Sequence, residues 1–166
     1  GGLQATDGQF DLAISGEGFF ALRNLDGERI YTRNGNFVMA VANENQFMLT
    51  NSEGLAVLST EGEPIYVDRD YSTSDMVIDE DGELCLPDED GNSQKTGVKI
   101  AIYQFTNPSG LTKGQNTTYI ESEASGEAML EEENETLKKS KLKQGYLEMS
   151  NVQIADEMVN LIVAQR

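Results

Sequence analysis

Five Asp-Gly or Asn-Gly pairs punctuate the first 91 residues: Asp7-Gly8, Asp26-Gly27, Asn34-Gly35, Asp81-Gly82 and Asp90-Gly91. Glycine enters positive φ without steric cost, so each pair reads as a tight turn and leaves little room for a long helix. Short runs of strand character lie between them. Phe10, Leu12 and Ile14 alternate with Gln9, Asp11, Ala13 and Ser15, the pattern of a half-buried strand, and Phe19–Leu22 follows at once. Ile30–Thr32, Phe37–Val41, Phe47–Thr50, Leu55–Leu58, Pro64–Val67 and Met76–Ile78 continue the series. Val98–Phe105 is apolar on both faces, as a central strand would be. Strands at this spacing predict a mainly β fold of several short sheets and hairpins.

The pattern changes near the end. Glu131–Glu135 is acidic and Lys138, Lys139, Lys141 and Lys143 follow, which reads as a solvated connecting segment. Ser150-Asn151-Val152-Gln153 then resembles a capping box opening a C-terminal α-helix. Val152, Ala155, Met158, Val159 and Ile162 fall on one stripe of that helix, widened by Ile154 and Leu161. It runs to Arg166 with no Gly, Asn or Pro there to end it, so its partner is expected in further sequence or in another subunit. The expected division is a β-rich domain over 1–149 and the start of a helix over 150–166, with Ser150, Asn151, Val152, Ala155, Met158, Val159 and Ile162 as the candidate contact residues.

Charge and residue types narrow the chemistry. Twelve Lys and Arg against 29 Asp and Glu leave a net charge of −17, which repels nucleic acid and anionic lipid. There is no His, so the usual general base and imidazole metal ligand are missing. The lone Cys85, inside the apolar run Leu84-Cys85-Leu86, reads as a buried filler. Asp79-Glu80-Asp81-Gly82 and Asp88-Glu89-Asp90-Gly91 are the most site-like acidic clusters, but neither carries the full alternation of oxygen ligands that calcium needs. Ser15 in Ile14-Ser15-Gly16-Glu17-Gly18 lacks the order of a nucleophile elbow, and Gly16 and Gly18 read as a turn. A glycosidase-type carboxylate pair has nothing to single it out among 29 acids. Asn116-Thr117-Thr118 and Asn134-Glu135-Thr136 read as surface turns. The expectation is a non-enzymatic protein with no catalytic residues, no cofactor, no metal, no nucleic-acid partner and no membrane insertion.

Three segments together resemble the bacterial flagellar rod and hook protein family. The first is Gly2-Leu3-Gln4-Ala5-Thr6 running into Phe10-Asp11-Leu12-Ala13-Ile14-Ser15-Gly16-Glu17-Gly18-Phe19-Phe20. The second is Tyr31-Thr32-Arg33-Asn34-Gly35-Asn36-Phe37, and the third Gln144-Gly145-Tyr146-Leu147-Glu148-Met149-Ser150-Asn151-Val152, continuing to Arg166. The rod members, the distal rod type above all, look closer than the hook members, since no second β domain is inserted. The resemblance implies a β-rich middle domain between terminal helices that polymerise into a tube, export by the flagellar type III apparatus, and residence in the basal body beside other rod and hook proteins. It also implies that the N-terminal helix and most of the C-terminal one are missing from this sequence. A hook subunit, or a secreted all-β domain that binds a partner through its loops, is the alternative.

Overall fold

The computed structural model describes residues 2–149. Their regular structure is β-strand apart from three single 3-10 turns, in agreement with the turn-punctuated sequence. The C-terminal helix over 150–166 lies outside the described residues.

The chain opens with β1 (Leu3–Ala5), β2 (Leu12–Ser15), β3 (Phe19–Arg23), β4 (Arg29–Thr32), β5 (Phe37–Val41) and β6 (Gln46–Asn51). Next come β7 (Ala56–Val57), β8 (Tyr66–Asp68), β9 (Val77–Ile78), β10 (Glu83–Pro87), β11 (Ser93–Lys99) and β12 (Ile102–Gln104). The series closes with β13 (Thr112–Lys113), β14 (Thr118–Ile120), β15 (Met129–Leu130), β16 (Lys141–Gln144) and β17 (Tyr146–Glu148). Ten of these form one sheet in the order β13-β14-β4-β3-β7-β6-β5, with β12 on β3, β15 on β12 and β8 on β6. A three-stranded sheet β11-β10-β9 and the two-stranded ribbons β16-β2 and β1-β17 complete the fold.

The centre of the large sheet is buried on both faces because β3 is apolar from Phe19 to Leu22, so successive side chains enter opposite faces. Phe20 and Leu22 of β3 enter one core with Leu12, Ile14, Phe37, Leu49 and Ile102. Phe19 and Ala21 enter a second core with Tyr31, Ala101, Tyr103 and Phe105. In the second core the rings meet edge to face, Tyr31 and Phe105 at 4.9 Å and Phe19 and Phe105 at 5.7 Å between centroids. Arg29 lies 4.5 Å from the Tyr103 ring centroid and donates to the hydroxyls of Tyr31 and Tyr103. Burial pushes both phenols above their ordinary range, partly opposed by that guanidinium.

Three expectations need correction. Val98–Phe105 is not one strand: β11 ends at Lys99 and β12 begins at Ile102, because the chain changes partner from β10 to β3 between them. The alternation itself holds, Ile100 and Ile102 in the first core and Ala101, Tyr103 and Phe105 in the second. The segment 131–143 is not wholly a solvated connector. Glu131 is buried, accepting from the amide and hydroxyl of Ser140 at 2.7 Å each and from Gln104 Nε2 at 2.8 Å. Three donors replace the water such a carboxylate loses, and the following lysines lie on or beside β16, which pairs with β2. Finally, Gly8 and Gly35 are not positive-φ residues. A Cβ on Gly35 would stand 1.8 Å from the Leu12 carbonyl oxygen, so close backbone approach requires glycine there.

Gly27, Gly82 and Gly91 do adopt left-handed φ, of 81°, 82° and 83°, and they belong to a larger set. Five hairpin turns share one construction: Asn24–Glu28, Asn51–Leu55, Ser59–Glu63, Asp79–Glu83 and Asp88–Asn92. In each, the first residue's side chain accepts the amide two residues on, and glycine occupies the fourth place. In all but the serine turn it also accepts the amide four residues on. These are three-residue loops whose left-handed glycine makes the bulge closing the hairpin.

Candidate functional site at the junction of the chain ends

The described chain enters and leaves at the same place, and the three motif segments converge there. Residues 3–15 run antiparallel to 141–148 as one long broken ribbon. β1 pairs Leu3 with Glu148 and Ala5 with Tyr146, and β2 pairs Leu12 with Gln144 and Ser15 with Lys141. Between these ladders six residues, Thr6–Asp11, stand opposite the single Gly145. Gly145 joins the two pieces, donating to the Asp11 carbonyl at 2.7 Å and accepting from the Thr6 amide at 2.9 Å. The excursion is packed rather than loose. Phe10 is buried, the Thr6 hydroxyl donates to Asp11 Oδ2 at 2.6 Å, and Gln9 Nε2 donates to the Met76 carbonyl at 3.2 Å.

Beyond Gly145 burial no longer holds the ribbon. All three residues of β1 are exposed and those of β17 are half-buried. Arg33 fastens it instead. Its guanidinium donates to the carbonyls of Gly16 at 2.7 Å, Gly18 at 2.6 Å and Ile14 at 3.3 Å. The same group makes a two-pronged ion pair with Glu148, Nε to Oε1 at 3.3 Å and Nη2 to Oε2. Only a planar fork with five donors reaches a β-turn and a carboxylate together, so lysine is no equivalent. The Met149 amide donates to the Gly2 carbonyl at 2.9 Å, so the two ends run side by side.

Candidate contact residues Ser150, Asn151, Val152, Ala155, Met158, Val159 and Ile162 all lie outside the described residues, directly after this clamp. Arg33 and Glu148 were not singled out from the sequence. The available signal was that each sits in one of the three motif segments, and only the tertiary structure pairs them.

Elsewhere the geometry argues against chemistry at the residues weighed from sequence. Asp79 and Asp88 turn carboxylate oxygens onto their own turn amides. Among the described residues no group of three or more His, Cys, Asp or Glu is placed to hold a metal ion. Cys85 is buried, and burial, with Asp79 and Glu83 nearby, pushes its thiol above the usual range. A cleft between Lys99, Lys139, Glu131, Glu132 and Ser140 holds charges that are already paired, Glu132 with both lysines and Glu131 with Ser140.

Comparison with known proteins finds relatives along the whole chain. The family model described as flagellar hook protein FlgE/F/G D1 domain matches residues 13–86. That described as flagellar basal body rod FlgEFG protein C-terminal matches residues 143–166. The flagellar basal-body rod protein FlgG of Bacillus subtilis is 37% identical over 163 residues, 98% of this chain and 59% of that protein. FlgG of Borreliella burgdorferi is 34% identical over 167 residues, 100% of this chain and 59% of its own length. The flagellar hook protein FlgE of Treponema pallidum is 36% identical over 89 residues, 54% of this chain and 19% of that protein. The chain thus spans about three fifths of the length of the rod proteins it matches. With rod relatives aligned over nearly the whole of this chain and both family models in place, the chain belongs to the flagellar rod and hook protein family, and within it is most like the distal rod proteins.

Proposed function

We propose that this chain is the β body of a structural subunit of the bacterial flagellar basal-body rod, and that it serves mechanically rather than as an enzyme. In this reading it is exported to the basal body and lies beside other rod and hook proteins. It transmits torque as a stiff block between terminal helices that join neighbouring subunits. The observation that carries the reading is the clamped junction, where both ends of the described chain emerge antiparallel from a ribbon held by Arg33 and Glu148. A helix beginning at Ser150 would leave the body in a set direction, and forces on it would pass into the large sheet through β17, Arg33 and the Gly16–Gly18 turn. Match to rod proteins along the whole chain supports a rod subunit, and the match to hook proteins, confined to about half of it, favours the hook less.

The apolar stripe of Val152, Ala155, Met158, Val159 and Ile162 is then the face that packs on a neighbouring helix. Met158→Asp in the full-length subunit is expected to abolish rod assembly in cells while the β body keeps its circular dichroism and melting temperature. Rods of normal number and length in that strain would overturn the proposal.

A further inference from the structure

Of the strands that end a sheet among the described residues, two differ sharply in charge. One is β5. The Ala42 amide donates to the Gln46 carbonyl, so alternate residues of β5 bond to β6, and the backbone groups of Met39 and Val41 point away from the sheet. From Gly35 to Asn43 there is neither a charge nor a proline. Val38 and Val41 are exposed, as is Tyr66 on β8, across β6 from them. Natural edges are ordinarily blunted by lysine, proline or a covering loop, and none of these protects β5 among the described residues. The surrounding stretch, residues 34–92, carries fourteen carboxylates against the single Arg69.

The other edge is β11, outermost in its three-stranded sheet and exposed along nearly its whole length. The Asp88 amide bonds to the Asn92 carbonyl, so by the same alternation Ser93 and Lys95 turn their backbone groups outward. β11 carries Lys95 and Lys99 and no acid, in a stretch, residues 93–143, with seven lysines and seven carboxylates.

We propose that β5 of one copy pairs with β11 of a second copy, joining the large sheet of one to the three-stranded sheet of the next, head to tail. This rests on the reading of the chain as a self-assembling subunit. Each edge offers two outward residues, so the ladders match in length. Lysine on β11 deters pairing of two β11 edges and selects an edge in acidic surroundings. Charge also sets direction. Antiparallel pairing would press the Glu44 tip of the β5 hairpin against Asp88–Asp90, whereas parallel pairing lays it at the other end of β11, by Lys99, which is itself paired with Glu132. The contact is heterologous and does not use itself up, so it can repeat along an open assembly. A ladder this short is weak alone and gains its effect by repetition.

The test uses the whole subunit with Cys85→Ser and any cysteine outside this chain likewise replaced, and adds Val38→Cys in one preparation and Gln94→Cys in another. Both positions are exposed, and circular dichroism checks that each variant folds. Treatment with a short bis-maleimide at high protein concentration is expected to give cross-linked dimer several-fold more abundantly in the mixture than in either preparation alone, and less of it at high salt. Equal cross-linking of Val38→Cys with itself, or none in the mixture, would overturn the proposal. Sedimentation of the parent protein reports self-assembly separately. A subunit that assembles without this cross-link loses only the edge contact. One that cross-links without assembling keeps the contact and loses the rod reading.

Discussion

At the scale of single residues, Arg33 has the largest reach. It joins a turn, three carbonyls and the last strand before Ser150, and both it and Glu148 are about three-quarters shielded from water. Arg33→Lys keeps the charge but loses the fork. It is expected to cost about 1.5–3 kcal/mol, the range for hydrogen bonds to charged groups. Hydrogen exchange should quicken first at Leu3–Ala5 and Tyr146–Glu148, with the large sheet unaffected. Unchanged protection of those six residues would show that the ladder alone holds the ribbon. Gly35 illustrates a different constraint. The sequence suggested a left-handed turn, whereas the structure requires glycine because the Leu12 carbonyl passes where a Cβ would be.

At the scale of elements, the five like turns explain most of the regular acidity of the first half. Acids at the third position, Asp26, Glu53, Glu61, Asp81 and Asp90, are solvated, while the first residue of each turn is tied to amides. Asp79→Ala should therefore cost about 1–2 kcal/mol in urea denaturation, because two turn amides lose their acceptor. Glu80→Ala, exposed one residue away, should fall within about 0.5 kcal/mol of the parent. Equal effects would mean the side-chain cap contributes nothing. Two of the five turns, at Gly54 and Gly62, carry Glu-Gly and were not among the Asp-Gly and Asn-Gly pairs. Their legible signal is Asn or Ser three places before the glycine.

At the scale of the whole molecule, both cores are built on the same strands. β3 sends Phe20 and Leu22 to one side and Phe19 and Ala21 to the other, so neither core can open while the other stays intact. Thermal unfolding of residues 2–149 should be a single transition by near- and far-ultraviolet circular dichroism alike. Leu49→Ala in the first core and Phe105→Ala in the second should each lower stability by about 2–5 kcal/mol and shift that same transition. Two separated transitions in either variant would show that the cores fold independently.

What the sequence determined by itself was mostly local. Turn positions, strand runs such as Phe37–Val41 and the two-faced alternation of Phe19–Leu22 and Ile100–Phe105 follow from glycine stereochemistry and from the period of two along a strand. The motif segments likewise sufficed to indicate the family. The tertiary structure decided what meets what. Short polar strands such as Lys141–Gln144 have too little apolar alternation to be read from sequence, and exist because β2 offers them a ladder. Glu131 is buried only because Ser140 and Gln104 converge on it. The Arg33–Glu148 clamp links residues 115 positions apart. Pairing over such distances depends on where a whole sheet carries each side chain, which no local period in the chain encodes.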